Sequence, residues 1–235
     1  MTGRVAGPAG GGDLGHRRDR RGIVFVLSAP SGTGKTTVTR RLLDRVPGIR
    51  FSVSCTTRSP RPGERNGVDY HFMPRTRFDQ LRRRGEFLES AEVDGAAYGT
   101  SRRRLEGPLK RGEDMLLDID TQGAAQVRRR VPGAVLIFLL PPGPGALRRR
   151  LRRRGTDPMV LERRLRLARR EITRCGKYDY LVLNDHLEEA CRDLEAIIRA
   201  ERSRTPRQRG GATAIQQAFR AEARGARPGS RRTAP

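Results

Sequence analysis

Ser28-Ala29-Pro30-Ser31-Gly32-Thr33-Gly34-Lys35-Thr36-Thr37 is the stretch that decides the fold of this chain. It follows the continuously apolar run Ile23-Val24-Phe25-Val26-Leu27, which suits a strand buried on both faces. It precedes a stretch from Lys35 to Arg45 that reads as a helix ending before Pro47-Gly48. Strand, Gly-rich turn and helix in that order are the context a phosphate-binding loop requires. Glycines at 32 and 34 let successive backbone N–H groups turn toward a phosphate, and the helix N-terminus adds partial positive charge. Lys35 is placed to reach the β- and γ-phosphates of ATP, and Thr36 to offer a hydroxyl to Mg²⁺. The strict pattern starts with Gly, where this chain has Ala29. That position begins the turn and lies farthest from Lys35, so a small residue serves. The candidate ATP-binding loop is therefore Ala29, Pro30, Ser31, Gly32, Thr33, Gly34, Lys35, Thr36 and Thr37.

Working outward, three more apolar runs read as buried strands: Met115–Asp120, Val135–Leu140 and Tyr180–Leu183. Helical stretches separate them. Leu187, Ala190, Cys191, Leu194, Ile197 and Ile198 recur at spacings of three and four, which makes one apolar helix face. Alternation of this kind predicts an α/β fold, a parallel sheet flanked by helices. Segment 51–55 alternates in polarity, 56–67 is a loop rich in Thr, Arg, Pro and Gly, and 68–105 is mixed with one short helix near 76–84.

The two ends differ from the middle. Residues 1–22 and 206–235 are rich in Gly, Arg, Ala and Pro and poor in large apolar side chains. On composition both are expected to be disordered basic tails, since neither buries enough surface to offset its ordering entropy. The folded domain is then expected to be 23–205. The net charge of +24 suggests a polyanion partner. Yet three of the 50 basic residues are Lys, namely Lys35, Lys110 and Lys177. So one-sided an Arg usage fits coding bias, and a solvated basic surface with nucleotide substrates is the preferred reading over nucleic acid as the main partner. Nonspecific contact through the tails stays open. Cys55, Cys175 and Cys191 form no CxxC and no metal spacing, as expected of a reduced, cytoplasmic protein. No apolar run approaches a membrane span.

The chain resembles guanylate kinases over residues 23 to about 203. The resemblance is carried by Ser52-Val53-Ser54-Cys55-Thr56-Thr57-Arg58-Ser59-Pro60-Arg61-Pro62-Gly63-Glu64, Gly67-Val68-Asp69-Tyr70-His71-Phe72, Phe87-Leu88-Glu89, Tyr98-Gly99-Thr100, Leu117-Asp118-Ile119-Asp120-Thr121-Gln122-Gly123 and Arg154-Gly155-Thr156, in the family's order. It implies a P-loop nucleoside monophosphate kinase with a small GMP-binding lobe at about 52–105 and a mobile lid at about 144–170. The activity implied is transfer of the γ-phosphate of Mg-ATP to GMP. Arg58, Arg61, Tyr70 and Tyr98 are implied to hold the GMP phosphate, a task suited to planar guanidinium forks and hydroxyl donors. Glu89 is implied to read guanine, whose N1–H and exocyclic amine are adjacent donors that a carboxylate complements, with Ser54 at O6 and Thr100 in the same site. Asp120 is implied to contact GMP or its arginines, and Asp118 to act on Mg²⁺ through water. Read from spacing alone, Asp118 and Asp120 end a strand on one side of it, with capping of neighbouring amides as the alternative. Arg150, Arg154 and Arg164 match lid arginines, with Arg163 as the alternative to Arg164, and Asn184 is a candidate adenine contact.

Three rival readings meet obstacles or make distinct predictions. A P-loop kinase with another phosphorylated acceptor conflicts with the set Ser54, Arg58, Arg61 and Glu89. A non-catalytic interaction module conflicts with the intact Lys35, Thr36 and arginine clamp. A nucleic-acid binder working through the basic ends predicts steep salt dependence and no turnover.

Overall fold

The structure, a computed structural model, describes residues 20–153 and 157–225. Its first strand, β1 (Val24–Ser28), is buried along its whole length. After the phosphate loop come α1 (Lys35–Arg45), β2 (Ile49–Phe51), β3 (Cys55–Thr56), β4 (His71–Phe72), α2 (Arg75–Arg83), β5 (Phe87–Val93), β6 (Ala96–Ser101) and α3 (Arg102–Lys110). The chain continues through β7 (Asp114–Asp118), α4 (Thr121–Arg130), β8 (Val135–Leu140), α5 (Pro144–Arg152) and α6 (Pro158–Ile172). A short 3₁₀ turn at Cys175–Lys177, β9 (Tyr180–Leu183), α7 (Leu187–Ser203) and α8 (Thr205–Gly225) complete it.

Five strands form a parallel sheet in the order β2-β7-β1-β8-β9. Alternate residues of β1 feed opposite cores. Phe25 and Leu27 pack with Val38 and Leu42 of α1 and Leu194 and Ile198 of α7. Val24 and Val26 pack with Leu105 and Leu109 of α3 and Val127 of α4. Each fully buried Leu or Phe contributes about 1.5–3 kcal/mol of transfer free energy, which is why an unbroken apolar strand is stable only with helices on both faces. The chain passes from β1 outward to the edge strand β2, returns beside β1 as β7 and then crosses to β8 on the far side of β1, so the carboxyl end of β1 lies at a topological switch point, where such sheets bind ligands. The phosphate loop sits there.

A second sheet, β4-β3-β6-β5, has its own core of Cys55, Phe78, Phe87 and Ala97, with Phe78 and Phe87 stacked at 4.5 Å between centroids. The alternating run at 51–55 therefore belongs to two sheets: β2 ends at Phe51 and β3 begins at Cys55. Alternation registers extended backbone and cannot tell which sheet each residue joins.

Of the stretches expected to be tails, the described residues are 20–22 and 206–225. Within 206–225 the chain is helical, as α8. Composition counts apolar area and misses the polar anchor: buried Glu201 accepts from Arg207 at 2.8 Å and from the Tyr180 hydroxyl at 2.7 Å, and Arg207 also donates to the Gly133 carbonyl at 3.1 Å. Residues 226–235 lie outside the described residues. So do 1–19, but Arg20 is buried and its guanidinium donates to both oxygens of Asp114, at 2.9 and 3.1 Å. The fully buried Asp114 carboxylate also accepts from the Ile23 N–H at 2.8 Å and from Arg202 Nε at 2.7 Å. One carboxylate thus ties the entry of β1 to the end of α7. Asp114→Ala removes the shared partner of two arginines and is expected to lower unfolding free energy by about 3 kcal/mol. Urea titration checks this, and an unchanged midpoint would mean the clip contributes nothing net.

Candidate active site

The loop's backbone is set by Gly32 and Gly34, at φ +90° and +100°, a region L side chains rarely occupy. Packing excludes a side chain too, since a Cβ at 32 would lie 2.8 Å from Leu151 and one at 34 would lie 2.8 Å from the Asn184 amide nitrogen. Ala29 and Pro30 are buried beneath the loop, while Ser31, Thr36 and Thr37 are exposed. Lys35 pairs with Asp118 and points toward the Ile119 carbonyl at 3.5 Å. Register explains the pairing, because Asp118 stands beside Leu27 on the neighbouring strand.

Asn184 and Arg150 brace the loop from behind. The buried Asn184 amide donates to the Thr33 carbonyl at 2.6 Å. Arg150 donates to the Thr33 carbonyl at 2.9 Å and to the Asn184 carbonyl at 3.0 Å. Two residues expected at adenine and at the transferred phosphoryl group therefore have their polar groups on backbone carbonyls. The reason is proximity: β9 ends beside the loop, and α5 packs Leu147 and Leu151 against Gly32.

On the other side of the cleft, Arg58 is the hub. Its guanidinium forks onto Glu64 with two contacts of 2.9 Å, and Nε donates to the Tyr98 hydroxyl at 3.3 Å. It lies 5.2 Å from the centre of the Tyr70 ring and 5.7 Å from that of Phe72. The Arg58 hydrogen bonds hold the Glu64 carboxyl below its usual range, helped by the Arg61 N–H, which donates at 2.8 Å. The Arg61 side chain is exposed and has no ion-pair partner among the described residues. Tyr70 and Tyr98 meet edge to face at 5.9 Å. Burial raises the Tyr70 hydroxyl pKa, and the Asp118 charge raises it further. Ser54 is half-buried, and its carbonyl accepts from the His71 N–H at 2.8 Å.

Glu89 is 3% exposed, and its Oε1 accepts from the Thr100 hydroxyl at 2.6 Å. Burial pushes its pKa up to about 7. Asp120 corrects the strand-end expectation. The strand stops at Asp118, and Asp120 is the N-cap of α4, accepting from the Gly123 N–H at 2.8 Å. Capping an orphan amide is what a short carboxylate does at a helix start, and this fixes one Asp120 oxygen before any ligand is considered.

Helices α5 and α6 form a hairpin with its own apolar core of Leu147, Leu151, Leu161, Leu165 and Ala168. Arg154, with Gly155 and Thr156, lies outside the described residues. Arg164 is half-buried. Arg163 reaches the second sheet, pairing with Asp94 of the β5–β6 turn at 3.0 Å. Three residues that the sequence did not single out also belong here. Glu64 fixes Arg58. Glu171, at the end of α6, is pushed up to about 7 by burial and senses Lys35 and Asp120. Gly123 adjoins Glu89. Glu64 was within reach of sequence reasoning as a carboxylate in the arginine loop. Glu171 sits in an arginine-dense helix with no local signal.

A five-stranded parallel sheet with a phosphate loop at its switch point, a small second sheet across the cleft and a helical hairpin packed on the loop define a P-loop kinase of the nucleoside monophosphate class. The sequence profile of guanylate kinases matches residues 21–201. The guanylate kinase of Alkalilimnicola ehrlichii is 49% identical over 188 residues, 80% of this chain and 93% of that one. That of Vibrio vulnificus is 45% identical over 205 residues, 86% of this chain and 99% of that one. The crystal structure of guanylate kinase from Anaplasma phagocytophilum superposes with a TM-score of 0.68 at 38% identity, covering 80% of this chain and 90% of that one. The chain belongs to the guanylate kinase family.

Proposed function

We propose that this protein transfers the γ-phosphate of ATP to GMP, giving ADP and GDP, as a cytoplasmic enzyme of purine nucleotide metabolism. The observation that carries the reading is the buried Glu89 carboxylate, whose one side-chain hydrogen bond among the described residues comes from the Thr100 hydroxyl at 2.6 Å. A buried carboxylate is costly unless a ligand supplies donors, and guanine supplies two. Ser54 faces O6, Thr100 orients Glu89, and Arg58, Arg61, Tyr70 and Tyr98 hold the GMP phosphate. Asp120 faces GMP with its second oxygen.

The loop amides of residues 29–37 cradle the ATP phosphates, and Lys35 follows the β- and γ-oxygens as charge shifts toward the leaving group. The Thr36 hydroxyl and the Asp118 carboxylate are oxygen donors of the kind Mg²⁺ takes beside phosphate and water, and when bound the ion supplies charge neutralisation between the phosphates. Arg154 and Arg164 add positive charge from the hairpin, which also excludes water. Arg150 and Asn184 act through the loop by holding its carbonyls. The GMP phosphate is already an anionic nucleophile, so catalysis is positioning and electrostatics with no strong base. No helix among the described residues is long and apolar enough to cross a membrane, and Cys55, Cys175 and Cys191 are free thiols. The basic ends contribute at most salt-sensitive nucleic-acid contact.

A coupled ADP-release assay with Mg-ATP and GMP, AMP, UMP or no acceptor tests the reading. Turnover with GMP far above the others is expected. Folded protein that turns over none of them would overturn the assignment.

A further inference from the structure

The first turn of α4 stands directly against the Glu89 carboxylate. Gly123 is buried, and a Cβ built on it would lie 2.6 Å from Glu89 Oε2, 3.2 Å from Glu89 Cδ and 3.3 Å from Ile119 Cδ1. No real Cβ tolerates the first of these distances, so a side chain at 123 requires something to move. The backbone is poorly placed to do so. The Gln126 amide donates to the Ser90 carbonyl at 2.7 Å and accepts from the Ser90 N–H at 3.2 Å. Arg130 donates to the Leu88 carbonyl at 2.6 Å. Helix α4 therefore grips strand β5 on both sides of Glu89, and the Asp120 cap fixes the start of the helix. The free end of the Glu89 side chain is the part that yields at low cost, and its opposite side is held by Thr100 at 2.6 Å.

We propose that Gly123 is a specificity-determining residue: its bare Cα sets where the Glu89 carboxylate stands, with Gln126 and Arg130 holding the strand that carries it. This rests on Glu89 as the reader of guanine. A methyl group at 123 displaces the carboxylate from the plane of the base while leaving the ATP side of the cleft untouched. A purely structural role makes a different prediction. Alanine is the better helix former, so Gly123→Ala would then leave kinetics alone and hold or raise the melting temperature.

The test is steady-state kinetics of the full chain for wild type, G123A and E89Q, with GMP, AMP and ATP varied in turn. G123A is expected to raise KM for GMP about tenfold or more and to lower the GMP/AMP ratio of kcat/KM by a similar factor, with KM for ATP within about twofold. An unchanged KM for GMP and an unchanged ratio in G123A, alongside lost discrimination in E89Q, overturns the role of Gly123 and leaves Glu89 as the reader. An unchanged ratio in E89Q removes Glu89 as the reader and this inference with it. Should G123A fold poorly, thermal melting of G123A/E89S decides. Recovery of the melting temperature on removing the carboxylate supports the contact, and no recovery assigns Gly123 to packing alone and overturns the proposal.

Discussion

Lys35→Ala is expected to lower turnover with ATP and GMP by about 10²–10³-fold or more, the loss typical when one charge-stabilising donor leaves a preorganised site. Lys35 is the basic side chain paired with Asp118 at the mouth of the loop. Its ammonium is needed most when charge accumulates on the β–γ bridge, so kcat should fall more than the affinity for ATP does. The fold should survive. Asp118 is partly exposed, so losing its partner does not strand a charge in the interior. Circular dichroism and melting establish the fold, and single-turnover kinetics establish the chemical step. Folded K35A with near-normal turnover would refute the phosphate role of Lys35.

Glu89→Gln is expected to collapse base choice, with the GMP/AMP ratio of kcat/KM falling by about 10²-fold or more. A carboxylate accepts from both guanine donors. An amide offers one acceptor and turns its N–H₂ group toward a donor, whereas adenine presents N1 as an acceptor in the same place. Unchanged discrimination would remove Glu89 from the site.

The same variant has a pH signature. The Glu89 pKa is raised from 4.5 to about 7 by burial. A raised carboxyl pKa favours the protonated folded state, so the destabilisation appears as pH rises from the unfolded value through 7. It amounts to about 3 kcal/mol once both states are ionised. Relative to wild type, E89Q should be more stable in urea at pH 8 and little changed at pH 4.5. Glu171 titrates in the same range but is present in both proteins, so the difference isolates Glu89. Binding of GMP needs the ionised form, and KM for GMP in the wild type should fall between pH 6 and pH 8. A flat difference in stability across that range would place the Glu89 carboxyl in a wetter setting than its burial implies.

Much of the architecture was legible in the sequence because it follows from local rules. An unbroken apolar strand has to be covered on both faces. Lys35 and Thr36 after Gly32 and Gly34 imply a loop that faces phosphate, and strand–helix alternation implies a parallel sheet. The order of the acceptor motifs carried the family resemblance, including Glu89, Arg58 and Tyr98. What the sequence could not give were relations between segments distant along the chain. Residues 206–225 look too polar to fold, yet α8 is anchored through Glu201 and Arg207. Asn184 and Arg150 read as ligand contacts, yet both turn to the carbonyl of Thr33, more than a hundred residues away. Asp118 and Asp120 look equivalent two residues apart, but the strand ends at Asp118 and the helix starts just after Asp120, so one pairs with Lys35 and the other caps α4. Local pattern therefore determined which elements form and what chemistry the loops carry. Tertiary structure alone decided which partner each polar side chain took, because a hydrogen bond is settled by distances of about 3 Å that arise only when strands far apart in sequence are laid side by side.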